Sequence, residues 1–148
     1  MTIAQTATTS FKVELLQAVH NFGPTTPDTF YIALYTAAAG IGASTTEYTA
    51  TGEVVGTGYT AGGLPLTISV SPTSGSNSLA VPTAYIGFAN VSWPAATFTA
   101  RGALIYNATQ GNKSVAVLDF GADKTVGNDT FQIIFPTADA NSAIVRIA

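Results

Sequence analysis

Gly56-Thr57-Gly58-Tyr59-Thr60-Ala61 has the spacing of a relaxed dinucleotide fingerprint, G-x-G-x-x-A. In that chemistry a strand leads into the glycines, and a helix after them offers its N-terminal amides to a pyrophosphate. Here Gly62-Gly63-Leu64-Pro65 follow, then apolar residues alternating at Leu64, Leu66, Ile68 and Val70. Glycine, proline and a period of two start a strand and not a helix. The string therefore reads as a glycine loop entering a strand. No Lys-Ser or Lys-Thr follows a glycine pair, so a P-loop is absent as well.

The remaining chemistry-bearing residues are sparse. His20 is the only histidine, so a multi-histidine zinc site is excluded. No serine–aspartate constellation lies near it in sequence, and a packed or partner-contacting histidine is the simpler reading. Asp119, Asp123, Asp129 and Asp139 fall at or near expected strand ends. They lack EF-hand spacing, and turn-forming aspartates bonded to their own backbone account for them better than calcium or a glycosidase pair. Tyr31, Tyr35, Tyr48, Tyr59, Tyr85, Trp93 and Tyr106 could stack on sugars or anchor an interface; on a sandwich most belong to core or rim. No cofactor motif emerges.

Composition sets the class. The 148 residues suit one domain with a substantial core. Hydrophobic residues make up 47% and charged residues 9%, against roughly 25% charged in ordinary soluble domains. So little surface charge points to faces covered by partners. Net charge is −3, and Lys12, Arg101, Lys113, Lys124 and Arg146 are scattered singly. Nucleic-acid recognition requires clustered phosphate neutralisers, so it is set aside. With no cysteine, disulfides and thiolate chemistry are excluded. The opening MTIAQTATTSF has neither a basic nor an apolar signal region, and no apolar run is long enough for a membrane helix.

These elements would position the candidates. Residues 1–9 read as an extended N-terminal arm, mobile unless a partner orders it. Residues 10–148 read as a β-sandwich domain that includes a helix over 11–22. Ser10 is its expected N-cap, and Phe11, Leu15, Ala18, Val19 and Phe22 form its apolar face. Gly23-Pro24 would end it. Phe30–Tyr35 is a short apolar run, expected as a strand buried on both faces or at an interface. A long loop over 37–53 follows, with capping-box spacing at Ser44-Thr45-Thr46-Glu47. Strands are then expected at 64–70, at 79–81 and at 85–93, broken by Trp93-Pro94. Others are expected over 98–106, 115–120, 131–135 and 143–147. Turns are expected at Pro72–Asn77, 107–113 and 121–128. About eight strands with Gly, Pro and Asn turns predict a mainly β, single-domain antiparallel sandwich, jelly-roll-like, with one N-terminal helix.

Several blocks carry a family likeness. They are Ser10-Phe11-Lys12, Glu14-Leu15-Leu16, His20-Asn21-Phe22, Phe30–Thr36, Glu53–Gly63, Ala100–Asn107, Ala116–Gly121 and Phe135–Ala140. Together they resemble small structural proteins of tailed bacteriophages over nearly the whole chain after residue 9. The resemblance implies a non-enzymatic virion protein, made in the host cytoplasm. Its expected place is the capsid surface, as a cement or decoration protein. The implied partners are the major capsid protein and copies of itself as a homodimer or homotrimer, with no nucleic acid or membrane. A tail, collar or fibre component is the second reading, and a carbohydrate-binding module on the virion the third. The candidate partner-contact residues are Phe11, Glu14 and His20 on the helix, Tyr48 and Glu53 in the long loop, and Tyr59. The arm is expected to reach a neighbour, so that its loss would weaken attachment without unfolding the domain.

Overall fold

The computed structural model describes residues 2–148. Its elements are β1 (Thr6–Ala7), α1 (Thr9–Leu16), β2 (Phe30–Tyr35), β3 (Leu64–Leu66), β4 (Ile68–Ser76), β5 (Pro82–Phe88), β6 (Val91–Asn107), β7 (Lys113–Ile133) and β8 (Val145–Ile147). Five strands form one antiparallel sheet in the order β1-β7-β6-β2-β3; three form the other, β4-β5-β8. The chain is thus a mainly β sandwich with one short helix. β4–β5 and β6–β7 are hairpins, whereas β1–β7, β2–β6 and β5–β8 join strands distant in sequence.

The β6–β7 hairpin turns at 108–112, as the turn formers there predict. Both strands run through residues expected to break them. Pro94 sits in a register shift between Trp93 and Ala96, where no ladder hydrogen bond is demanded of it. The expected turn at 121–128 shrinks to a protrusion. Ala100 pairs with Lys124 and Gly102 with Asp119, so residues 120–123 face Arg101 alone. Gly121 (φ 76°) and Asn128 (φ 50°) mark where β7 kinks without leaving the sheet.

The alternation over Leu64–Val70 hides a change of sheet. Leu64 and Leu66 pair with β2, while Ile68 and Val70 pair with β5. Thr67 lies between them and accepts from Ala89 N at 2.8 Å. The expected turn at Pro72 is another irregularity inside β4, and the real turn is Asn77–Val81. There Asn77 Oδ1 accepts from the amides of Leu79 and Val81, an Asx arrangement at 2.9 and 3.0 Å.

The helix is shorter and begins earlier than its apolar spacing predicts. Thr8, not Ser10, is the N-cap and accepts from Phe11 N. The helix stops at Leu16, and Ala18 turns left-handed at φ 59°. His20 and Phe22, read as helical, instead lie in an irregular crossing. Phe22 stacks on Phe30 with centroids 4.4 Å apart. Tertiary packing of two aromatic rings outweighs the weak tendency of eight residues to extend a helix. The Ser44–Glu47 tetrad forms no helical turn: Thr45 Oγ1 accepts from Gly42 N at 2.9 Å, and Glu47 bridges to Lys113.

β2 shows why its residues are apolar throughout. Phe30, Ile32 and Leu34 enter the main core between the sheets, and Ala33 and Tyr35 enter a second core on the opposite face. That second core is closed by the N-terminal segment. Ile3 is buried against it and bridges Ile41, Ala4 N donates to Ile41 O, and Thr6 and Ala7 pair with Val117 and Ala116. Residues 2–8 are therefore an integral edge of the domain, which corrects the reading of a free arm.

Thr8 is fully buried, caps α1 and bonds Ser114 Oγ at 2.8 Å. Thr8→Val keeps the volume and loses both bonds. We expect it to cost about 1–2 kcal/mol in urea unfolding, and removal of residues 2–8 to cost more.

Candidate functional site

Two networks gather the residues capable of chemistry. The first is built where β2 outruns its partner. β3 pairs only with Phe30–Ile32, which leaves Leu34 with an open edge. The loop over 36–63 folds back to cover it: Val54 N donates to Leu34 O and Thr36 N to Gly52 O, both at 2.9 Å. Leu34 N donates to the Tyr59 hydroxyl at 2.9 Å. Covering a free edge this way satisfies its backbone and blocks foreign pairing.

Glu53 holds this loop from inside. Its carboxylate accepts from Tyr48 OH and Tyr59 OH, each at 2.6 Å, and from Gly62 N at 2.7 Å. Tyr106 OH donates to Gly62 O at 2.7 Å, closing the ring of contacts. Gly63 then turns at φ 77° against β2, where a Cβ would collide with the Ile32 carbonyl. The glycine string is thus a tight re-entry into β3. Burial, then the Glu53 carboxylate, push Tyr48 up to about 12. Burial and the same charge raise Tyr106 to about 12, and they also raise Tyr35 and Tyr59.

The second network lies under α1. Asn107 Oδ1 accepts from Thr109 N and Gln110 N, at 3.1 and 3.2 Å, which fixes its amide. Its Nδ2 donates to His20 Nδ1 at 3.0 Å and to Asp28 Oδ2 at 2.7 Å. His20 must then carry its proton on Nε2, which donates to Glu14 Oε2 at 2.7 Å. Lys113 Nζ lies 3.6 Å from the other Glu14 oxygen. Burial alone would raise Asp28, but hydrogen bonds from Asn107, Asn21 N and Gln110 outweigh it and leave its carboxyl lowered. With both ring nitrogens engaged, His20 has no lone pair to offer a substrate or metal. Its ring sits beside Phe11, with centroids 5.0 Å apart.

The six residues expected at a partner interface are therefore employed inside the molecule. Phe11, Glu14, His20 and Glu53 are buried, and Tyr48 and Tyr59 are half-buried beneath the loop. Glu14 and His20 are brought together, as are Tyr48, Glu53 and Tyr59. Of the four aspartates, only Asp119 and Asp123 come together, at 3.4 and 3.9 Å from the Arg101 guanidinium. Asp119 accepts from Gly121 N, which with Arg101 lowers its carboxyl; Asp129 and Asp139 cap nearby amides. Among the described residues, no three acidic or histidine side chains form a metal-binding group.

The outward-facing residues are others. Leu16 is 92% exposed, Val55 95%, Leu79 82% and Ile134 70%, with Val13 and Ile147 also exposed. A signal for two of them existed: with Phe11 and Glu14 turned inward, Val13 and Leu16 fall on the outer side of an eight-residue helix. Comparison with known proteins brings no match to any protein family, curated protein or solved structure.

Two outcomes follow from the Glu53 network. Glu53→Gln removes a charge that accepts three hydrogen bonds, and we expect a loss of about 2 kcal/mol in urea unfolding. Unfolded tyrosine ionises near 10, whereas Tyr48 and Tyr106 hold their protons to about 12. The native state therefore binds more protons above pH 10, and stability falls as pH rises through 10 to 12. Unfolding curves between pH 8 and pH 12 should show that fall, and Glu53→Gln should make it shallower without abolishing it, because burial remains.

Proposed function

We propose that this chain is a structural protein of a tailed-phage virion, most specifically a cement or decoration protein on the outer capsid. The observation that carries this reading is the disposition of its side chains. The acid, base and phenol groups of Glu14, His20, Tyr48, Glu53 and Tyr59 are tied into internal networks, while large apolar residues stand on the surface at Leu16, Val55, Leu79 and Ile134. Such a body suits adhesion more than turnover. The resemblance of its sequence blocks to small phage structural proteins supports the same class.

The mechanism is linkage. A protein that binds the assembled shell and not its separated subunits stabilises the shell by mass action. A rigid body transmits that stabilisation, because opening the contact cannot be replaced by yielding within the domain. Both cores and the latched loop supply the rigidity. Partners are the major capsid protein and further copies of this chain. A tail, collar or fibre position remains the second structural reading.

Copy counting on purified particles separates the two. Capsid-wide stoichiometry is the expected result; copies in multiples of six confined to the tail would assign the protein there. Leu16→Asp and Val55→Asp, both at exposed positions, should lower capsid occupancy while leaving the unfolding transition in place.

A further inference from the structure

The two sheets end in short strands that border one groove. β1 is the last strand of the five-stranded sheet and β8 the last of the three-stranded sheet. Between them opens a cavity of about 600 Å³, lined by Gln5–Ala7 on one side and Ser142–Ile147 on the other. Its apolar wall includes Ala7, Leu15, Leu118 and Ile144. The volume lies within the roughly 300–1,000 Å³ of ligand-holding clefts.

Two properties say what fits there. Each border strand is a sheet edge that pairs on one side only, β1 with β7 and β8 with β5, so each leaves a short stretch of two or three residues without a ladder partner; among their acceptors, Ala7 O takes the Thr6 hydroxyl at 2.9 Å. Such edges are satisfied by an added extended strand. The groove is also the positive place on a negative protein. Lys12 and Arg146 line it, both exposed and neither within ion-pair distance of a carboxylate among the described residues; Arg146 Nη1 donates to Ala143 O at 2.8 Å, which holds its charge at the groove wall. None of the eight acidic residues lines it.

We propose that the β1–β8 groove docks an extended peptide segment of a partner protein, with alternating apolar side chains and acidic residues at its ends. The segment adds as a strand to an open edge, its apolar side chains facing Ala7 and Ile144 and its acids meeting Lys12 and Arg146. This stands on the groove alone and does not depend on the virion reading.

The test titrates the full, isotope-labelled chain with a seven-residue peptide of alternating valine and threonine carrying an aspartate at each end. Amide shifts should saturate and concentrate in residues 5–7 and 142–147. Replacing the terminal aspartates with lysines should weaken binding about tenfold, as should the double variant Lys12→Glu, Arg146→Glu. A central proline in the peptide should abolish it, since the added strand loses a donor. Absence of shifts at about 1 mM peptide, or equal binding of the lysine-ended peptide, would overturn the proposal. Self-association broken by the same double variant would also overturn it, by assigning the groove to a second copy.

Discussion

The β6–β7 ladder is the constraint on which the other elements depend. It runs from Val91–Ile133 at one end to Asn107–Lys113 at the other. An isolated hairpin is marginal in water, and a long one twists and exposes two edges. The remaining chain answers those two demands. Near the hairpin turn, β2 covers the edge of β6 over Gly102–Asn107 and β1 covers that of β7 at Ala116 and Val117. Register shifts at four places bend the ladder, which lets Trp93, Phe98 and Phe131 gather with Tyr59 at its far end. At the near end, Asn107 closes the hairpin with its carbonyl and reaches His20 and Asp28 with its amide. One side chain thus joins the ladder to the crossing that follows α1.

A buried carboxylate performs the comparable task for the long loop. Removing Glu53 from water is costly, and three short hydrogen bonds offset that cost only if the loop holds one conformation. Burial, and after it the same charge, raise the nearby tyrosines further above their ordinary value, so they go on donating to the network well beyond ordinary pH. The loop it holds completes the open end of β2. Conformation, electrostatics and edge protection are therefore one arrangement, and the glycines serve it by allowing the chain to pass close beneath β2.

This economy bears on function. Residue types that suggest chemistry in a list are committed to neighbours once the chain folds. Facing outward are a sparse set of large apolar side chains and, between the two sheet edges, a groove with two cations on its border. Those features suit adhesion to other proteins, in keeping with the proposed role on a particle surface.

The sequence by itself determined the β class, the strand at Phe30–Tyr35, the hairpin at 107–113 and the rejection of a nucleotide loop. Each rests on local rules: apolar period, turn formers, and a strand in place of a helix after the glycines. It did not determine which apolar residues share a face. Leu64, Leu66, Ile68 and Val70 look like one strand, and only pairing with β2 and then β5 divides them between sheets. Val19 and Phe22 have helical spacing, yet a ring stacked on Phe30 decides their place. Residues 2–8 have no period, and the uncovered second core recruits them. His20 was legible as packed or partner-contacting and Glu53 as tucked under its loop or offered to a neighbour, and the tertiary structure decides for burial in both. Burial of a polar group depends on partners supplied by distant strands, and that supply exists only in the tertiary structure.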